Sequence, residues 1–401
     1  MKPFGELLPF EQAIKVVDEH IVPITRTEVI SIDEAVGRVL AEEIIASQNT
    51  PPFNRAAMDG YAVKAEDTSG AGQETPAVLE MFGELHAGDS PNIPVGKGQC
   101  IQIATGAMMP EGADAVVMVE DTGSNNGRIE IYREAEPLSN VGEKGSDIKA
   151  GETILSSGIC LDAGKIGVLA SQGIEQVTVY EKPRVAIMPS GEEVVELGKE
   201  LKRGQLYDIN SHTVLSVVKE NGGIPVKFGI ISDNLEDIRA KITEALKNSD
   251  FIVISGGSSV GERDLIAEVV GEWGDILFHG VKIRPGKPTM FALIEGKPVF
   301  GMPGYPTSSL INSYLFLVPA LRKMACLPRK RVERVKATLS KSASGTRGRE
   351  QFLTVKLEGD EAVPVFTESG AITSIARADG YIEIEADGYI EEGTPVNVTL
   401  F

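Results

Sequence analysis

The 401-residue sequence predicts a multidomain α/β plus β protein. Three observations carry that prediction. From Pro183 to about 328, apolar runs that read as buried strands alternate with amphipathic helical stretches, the pattern of βαβ units and a mostly parallel sheet. Residues 77–140 instead read as short strands and turns, and from about 329 the same texture returns as a small β domain or barrel. The length also exceeds one ordinary core, so two to four domains are expected.

Taken in order, "FEQAIKVVDEHIV" (10–22) sets Ile14, Val17 and Ile21 at helical spacing. A second helix is expected over 31–41, where Ser31 and Glu34 have the spacing of a capping box. "SQNTPPFNRAAMDGYAV" then breaks the pattern with two prolines. "AVLEMFGEL", "GQCIQIATGA", "DAVVMVEDT" and "GRIEIYREA" form the β module, and helix returns around "DAGKIGVLASQG". This order is that of a β module inserted into a helical segment, which makes the first domain discontinuous. After Pro183 come a strand at "RVAIMPSG", a helix at about 210–221, "IPVKFGII", and a helix whose Leu235, Ile238, Ile242 and Leu246 share a face. "DFIVISGG", a helix through Leu265–Val270, a hairpin at "TMFALIEGKPVFGMPG" and a closing helix at "PTSSLINSYLFLVPALRKMA" complete the domain. The expected boundaries are 1–47 with 141–180, 48–140, 181–328 and 329–401.

Composition narrows the function. A formal charge of −19 and a pI near 4.8 argue against a nucleic-acid partner, whose phosphates require clustered cations. Three separated cysteines (Cys100, Cys160, Cys326) make neither a disulfide framework nor a metal pattern, and four scattered histidines make no zinc site. The N-terminus lacks the apolar core of a signal peptide, and no apolar run reaches membrane-spanning length. A cytoplasmic protein with no membrane partner is expected.

Ligands of open α/β sheets sit beyond the carboxyl ends of the strands, so the loops after 190, 231, 257 and 303 matter most. "VISGGSSVGERDL" (253–265) runs from strand through a Gly/Ser turn into a helix. Its Ser255, Gly256, Gly257 and Ser259 suit a phosphate-cradling turn, although a plain strand–helix corner with Asp264 complementing the helix dipole reads equally well. The acids Glu262 and Asp264 would repel a bare phosphate unless a divalent cation lay between them. "VKIRPGKPT" clusters Lys282, Arg284 and Lys287, fit to clamp an oxyanion or to guard a sheet edge. "GMPGYPTSS" puts Pro303 and Pro306 in a stiff turn, with Thr307, Ser308 and Ser309 at a helix start where they serve either a ligand or simple capping. Asp59 in "AAMDGYAV", Thr105 in "IQIATGAMMPEGADAVVM", and Glu192 and Glu193 in "PSGEEVVELG" fall at turns, where the structural reading is an ordinary turn or surface acid.

Together, in order, "PPFNRAAMDGYAV", "ATGAMMPEGADAVVM", "GSDIKAGE", "PSGEEV", "GQLYDINSHTV", "ISGGSSVGERD", "RPGKPTMF" and "GMPGYPTS" resemble the molybdopterin molybdenumtransferase family, the MoeA proteins related to the gephyrin E domain. The resemblance covers essentially the whole chain. It implies a discontinuous N-terminal domain for dimerisation (1–47 and 141–180), an inserted β domain (48–140), a MogA/MoaB-like three-layer α/β domain that binds molybdopterin (181–328) and a C-terminal small β-barrel (329–401), in a homodimer. It also implies a reaction: molybdate is inserted into the dithiolene of adenylylated molybdopterin, with Mg²⁺-dependent release of AMP. Tungstate is the alternative oxyanion. Asp59, Thr105, Asp147, Glu193, Asp233 and Asp264 match the family's functional residues. Glu193, Asp233 and Asp264 are assigned to the metal and pyrophosphate, and Asp59, Thr105 and Asp147 to the opposite side of a dimer cleft. Ser255, Gly256, Gly257, Ser259, Lys282, Arg284, Lys287, Pro303, Pro306 and Ser308 are assigned to substrate.

Transient contact with the molybdopterin adenylyltransferase and with apo-molybdoenzymes would follow. Two departures stand out: many relatives carry lysine at the positions of Gly280 and Arg284, and asparagine at that of Tyr305, whose phenol cannot mimic an amide's paired donor and acceptor. The rival readings are a molybdopterin adenylyltransferase and a non-catalytic molybdopterin-binding scaffold.

Overall fold

The computed structural model describes residues 6–256, 264–365 and 371–401. The chain divides into two compact units, one of Val29–Val36 and Leu40–Val177, the other of the chain up to Glu28, Gly37–Val39 and Thr178–Phe401. Helix α1 (Phe10–His20) opens the second unit and buries Ala13 and Val17, on the face that the apolar spacing marks out.

The first unit is built on a six-stranded sheet in the order Ala115–Met118, Gly60–Val63, Gln99–Ile103, Ala77–Leu85, Arg128–Ile131, Thr122–Asn125. The 77–85 and 99–103 strands run parallel and the other neighbours antiparallel. Alternate residues Tyr61, Val63, Cys100, Val117, Ile129 and Ile131 share one core. Burial pushes the Cys100 thiol up to about 12, so it acts as a core side chain rather than a reactive thiol. Two short ladders, Ile44–Ile45 with Thr153–Leu155 and Arg55–Ala56 with Val141–Gly142, and helix α2 (Ala163–Ser171), capped by Asp162, complete the unit.

The helix expected over 31–41 is absent. Ser31 does cap, its hydroxyl accepting the Asp33 N–H at 3.3 Å, but only the three residues Ile32–Glu34 turn, as 3₁₀ helix. Gly37 then adopts φ +78°, outside the right-handed region, and ends any helical continuation. Ser31 was legible as a cap, but the bond it accepts comes from Asp33 rather than Glu34, and the break at Gly37 overrides the start signal.

The second unit contains the α/β sheet, whose strands are β1 (Arg184–Pro189), β2 (Ile224–Lys227), β3 (Phe251–Ser255), β4 (Gly274–His279), β5 (Met290–Ile294) and β6 (Lys297–Met302). Their order is β2-β1-β3-β6-β5-β4, the first four parallel and the β6–β5–β4 end antiparallel. The expected hairpin is thus β5–β6. Alternation along β1 and β3 feeds two cores. Val185, Ile187 and Val253 pack with Val214 of α3 (Asn210–Glu220) and Ile311 of α6 (Pro306–Asn312). Ala186, Met188, Ile252 and Ile254 pack with Ile238 and Ile242 of α4 (Leu235–Asn248) and Val269 of α5 (Leu265–Trp273). A sheet buried on both faces explains why these strands read as continuous apolar runs.

After α6 the closing helix widens into a π turn, Ser313–Leu317, before α7 (Val318–Met324). Pro319 lacks an N–H, and its ring crowds the carbonyl four residues back, so the ladder opens where the proline demands it. Beyond, strands Glu350–Glu358, Glu361–Pro364, Arg334–Leu339, Pro395–Leu400 and Gly380–Ile384 close into a five-stranded barrel, because the first pairs with the last. Its interior holds Leu339, Leu353, Val355, Ile382, Ile384 and Val398.

Candidate functional site

The carboxyl ends of β1, β3 and β6 meet at one edge of the parallel sheet. Ser190 follows β1 and its N–H donates to the Ser255 carbonyl at 2.7 Å; the Gly256 N–H donates to the Met302 carbonyl at 3.1 Å. Gly256, at φ +95°, has no room for a side chain, since a Cβ would lie 2.3 Å from the Ser190 oxygen. The glycine is therefore required by the residue that follows the neighbouring strand.

Asp233 joins this edge through the loop after β2. Its carboxylate accepts the Ser190 hydroxyl at 3.2 Å, and Ser190 is 5% exposed while Asp233 faces solvent. Glu193 is exposed on the loop after β1, held by a bond from the Leu206 N–H to its carbonyl at 2.8 Å. Pro303 is buried and Pro306 occupies the first turn of α6, followed by the buried Thr307, Ser308 and Ser309. Gly257, Ser259 and Glu262 lie outside the described residues.

Asp264 has a different environment. It is the N-cap of α5: one carboxylate oxygen accepts the Ala267 N–H at 2.9 Å and the other stands 3.5 Å from His279 Nε2. Burial raises its pKa, and the helix N–H groups and His279 only partly oppose that. Of the two readings the sequence left open for this acid, the described contacts are those of a cap. Among the described residues no three His, Cys, Asp or Glu side chains converge as a preformed metal site. Glu193, Asp233 and Asp264 are thus not gathered into a cage.

The predicted cations lie between β4 and β5. Lys282 and Lys287 are half-buried and Arg284 is exposed. The Val281 N–H donates to the Lys287 carbonyl at 2.9 Å and the Gly280 N–H to Thr289 at 2.8 Å, which pins both ends of the loop. Gly280 has φ +108°, a conformation that favours glycine, so the backbone itself disfavours any side chain there. Gly286 is equally constrained: a Cβ would lie 2.2 Å from the buried Asn312 amide, whose Nδ2 donates to the Gly286 carbonyl at 3.2 Å. This contact ties the cation loop to α6.

Sequence reasoning missed one residue. Ile283–Arg284 pairs in parallel with Glu350–Gln351 of the barrel, and Arg284 Nη1 donates to Thr346 Oγ1 at 3.1 Å. This brings Arg349 beside Arg284. Its pKa is lowered, by burial first and then by the positive charge of Arg284. Two guanidinium groups near enough to feel each other's charge, in a strongly acidic protein, are suited to an oxyanion. No local signal marks Arg349, which is 65 positions from Arg284 and becomes its neighbour only through the barrel's pairing.

In the other unit, Asp59 sits on the turn before Gly60–Val63, exposed, with Oδ1 accepting both the Thr105 N–H at 2.7 Å and the Thr105 hydroxyl at 2.8 Å. These two bonds, the backbone one first, hold its pKa below the ordinary 3.8. Gly60 must be glycine, because a Cβ would lie 1.9 Å from the Val117 oxygen. The exposed Asp147 is placed by its N–H, which donates to the Thr50 carbonyl at 3.1 Å. The 50–59 segment therefore touches both the Asp147 loop and the Thr105 turn, so Asp59 and Thr105 are brought into direct contact and Asp147 is placed from the same segment.

Three family models match in chain order: the MoeA N-terminal region (domains I and II) over residues 8–173, the "probable molybdopterin binding domain" over 193–323, and the MoeA C-terminal region (domain IV) over 336–401. A Staphylococcus epidermidis protein named molybdopterin molybdenumtransferase is 34% identical, with 93% of this chain and 90% of that one aligned. The Bacillus subtilis protein of the same name is 32% identical, over 98% and 94%. A crystal structure of a molybdopterin biosynthesis MoeA protein from Pyrococcus horikoshii superposes with a TM-score of 0.86 at 42% identity, covering 98% and 99% of the two chains. With the fold, the motif order and full-length similarity in agreement, this chain belongs to the MoeA family of molybdenum cofactor biosynthesis.

Proposed function

We propose that this chain is a molybdopterin molybdenumtransferase, which inserts molybdate into the dithiolene of adenylylated molybdopterin and releases AMP. The observation that carries the reading is the strand pairing that brings Arg349 near Arg284, on the loop that also carries Lys287, a concentration of cations suited to the oxyanion the reaction requires. In this reading the Ser190–Asp233 edge and the turn after Ser255 receive the pyrophosphate and pterin. The arginines orient the oxyanion and balance its charge. Tungstate would satisfy the same cations.

Mg²⁺ fits the donor set in one way. Ser190 occupies one oxygen of Asp233 and leaves the other, and Glu193 is exposed nearby in sequence, so one or two carboxylates are available. Mg²⁺ is commonly held by one or two carboxylates together with substrate phosphates. Bound there, it would neutralise charge on the pyrophosphate. Asp264 serves this site through the start of α5. Asp59, Thr105 and Asp147 are proposed to act from across a homodimer cleft in the cytoplasm, with transient contacts to the adenylyltransferase and to apo-molybdoenzymes.

The test supplies either adenylylated molybdopterin with molybdate and Mg²⁺, or molybdopterin with Mg·ATP. AMP release and formation of active cofactor in the first mixture are expected. Turnover in the second alone would make the chain an adenylyltransferase, and turnover in neither would leave the scaffold reading.

A further inference from the structure

Tyr305 lies in the loop between β6 and α6 and is 66% exposed. An exposed tyrosine alone needs no explanation. Its backbone is tied to its neighbours, however. Gly304 lies within van der Waals reach of the β3 turn, where a Cβ would stand 3.5 Å from Gly256 Cα, and the Gly304 carbonyl accepts Asn210 Nδ2 at 2.8 Å. Pro303 and Pro306 bracket the pair. The ring thus stands on a held backbone, with no ring partner and no hydrogen bond to its hydroxyl among the described residues.

Two polar atoms beside this loop also point to a ligand. The Gly304 carbonyl fixes the Asn210 amide, because only the NH₂ end can face it. Oδ1 is left without a partner although Asn210 is 8% exposed. Ser255 Oγ, at the end of β3 and 3% exposed, is likewise unpartnered. Buried polar atoms of this kind call for an explanation.

We propose that Tyr305 is a stacking platform for a flat, nitrogen-rich ring of the substrate, and that Asn210 and Ser255 offer hydrogen bonds to the same ligand. This rests on the reading of adenylylated molybdopterin as substrate, which carries two such rings, a pterin and an adenine. It also gives the departure at position 305 a meaning. Where an asparagine would read an edge through paired hydrogen bonds, this chain presents a π face, and stacking on an aromatic side chain is worth on the order of 10- to 100-fold in affinity. The stiff loop lowers the ordering cost of that contact.

The experiment uses the full chain with Tyr305→Ala, Tyr305→Asn, Tyr305→Phe and Tyr305→Trp. Steady-state kinetics with adenylylated molybdopterin should show KM raised about 10-fold or more by Ala and Asn, with kcat little changed and Phe close to the parent. The indole introduced by Tyr305→Trp should be quenched, above the Trp273 background, by AMP or by a free pterin, and the effective probe identifies the stacked ring. An unchanged KM in Tyr305→Ala, a Phe variant as impaired as Ala, or an indole quenched by neither probe overturns the proposal. The two readings fail separately. Turnover by the parent with a neutral Tyr305→Ala removes stacking alone, whereas quenching without any turnover keeps stacking and removes the transferase.

Discussion

Asp59 and Asp264 are the same residue type, flagged by the same kind of motif, in opposite environments. Asp59 is exposed and its charge is favoured by two hydrogen bonds from Thr105. Asp264 is largely buried, caps a helix, and has its charge disfavoured by burial. Asp59 also directly precedes a glycine that admits no side chain, Gly60. A motif acid therefore does not define its own role. The solvent and the donors around it decide whether it offers a ready negative charge or a structural cap.

The largest expected effect tests the exposed member. Asp59→Asn should lower kcat/KM on the order of 100-fold, the scale for a group acting at the reacting centre, while leaving the melting temperature unchanged. A variant with parental kinetics would remove Asp59 from the site.

The buried member should respond the other way. Asp264→Ala should cost about 1 kcal/mol through loss of the cap, and Asp264→Asn much less, because asparagine caps equally well. The folded chain holds the Asp264 proton to a higher pH than the unfolded chain. Stability from this group is therefore lost as pH rises from about 3.8 through its raised value. Denaturant titrations across that window should show the decline in the parent and a flatter profile in Asp264→Asn. A steeper loss in Asn would mean that the carboxylate, not the cap, stabilises the fold.

The smallest effect sharpens the comparison. Thr105→Val removes the hydroxyl but keeps the backbone donor that contributes most to the low Asp59 pKa. Because a lowered pKa keeps the carboxylate charged to lower pH, the acid limb of the activity profile should move to higher pH. No movement would disconnect that limb from Asp59.

Most of the α/β unit was legible because its strands are buried on both faces and its helices on one, so period and composition agree. Leu235–Asn248 illustrates this, with Asn234 as its cap and Ile238, Ile242 and Leu246 buried. The 31–41 helix was misread because a correct start signal says nothing about Gly37. At the site, the glycine and proline turns were readable from local chemistry. Arg349 was not, since its partnership with Arg284 depends on strand pairing between the barrel and the cation loop. The Asp264–His279 contact was hidden for the same reason: it joins the start of a helix to the end of a strand.

The π turn at Ser313–Leu317 carries one further consequence. An α-helix turns about 100° per residue, so a wide turn in mid-helix offsets everything before it relative to everything after. The direction in which the Thr307–Ser309 hydroxyls face is thus referenced, through a single irregular turn, to a proline near the far end of the same rod. Closing that turn by shortening it one residue would re-aim the motif without altering any of its side chains.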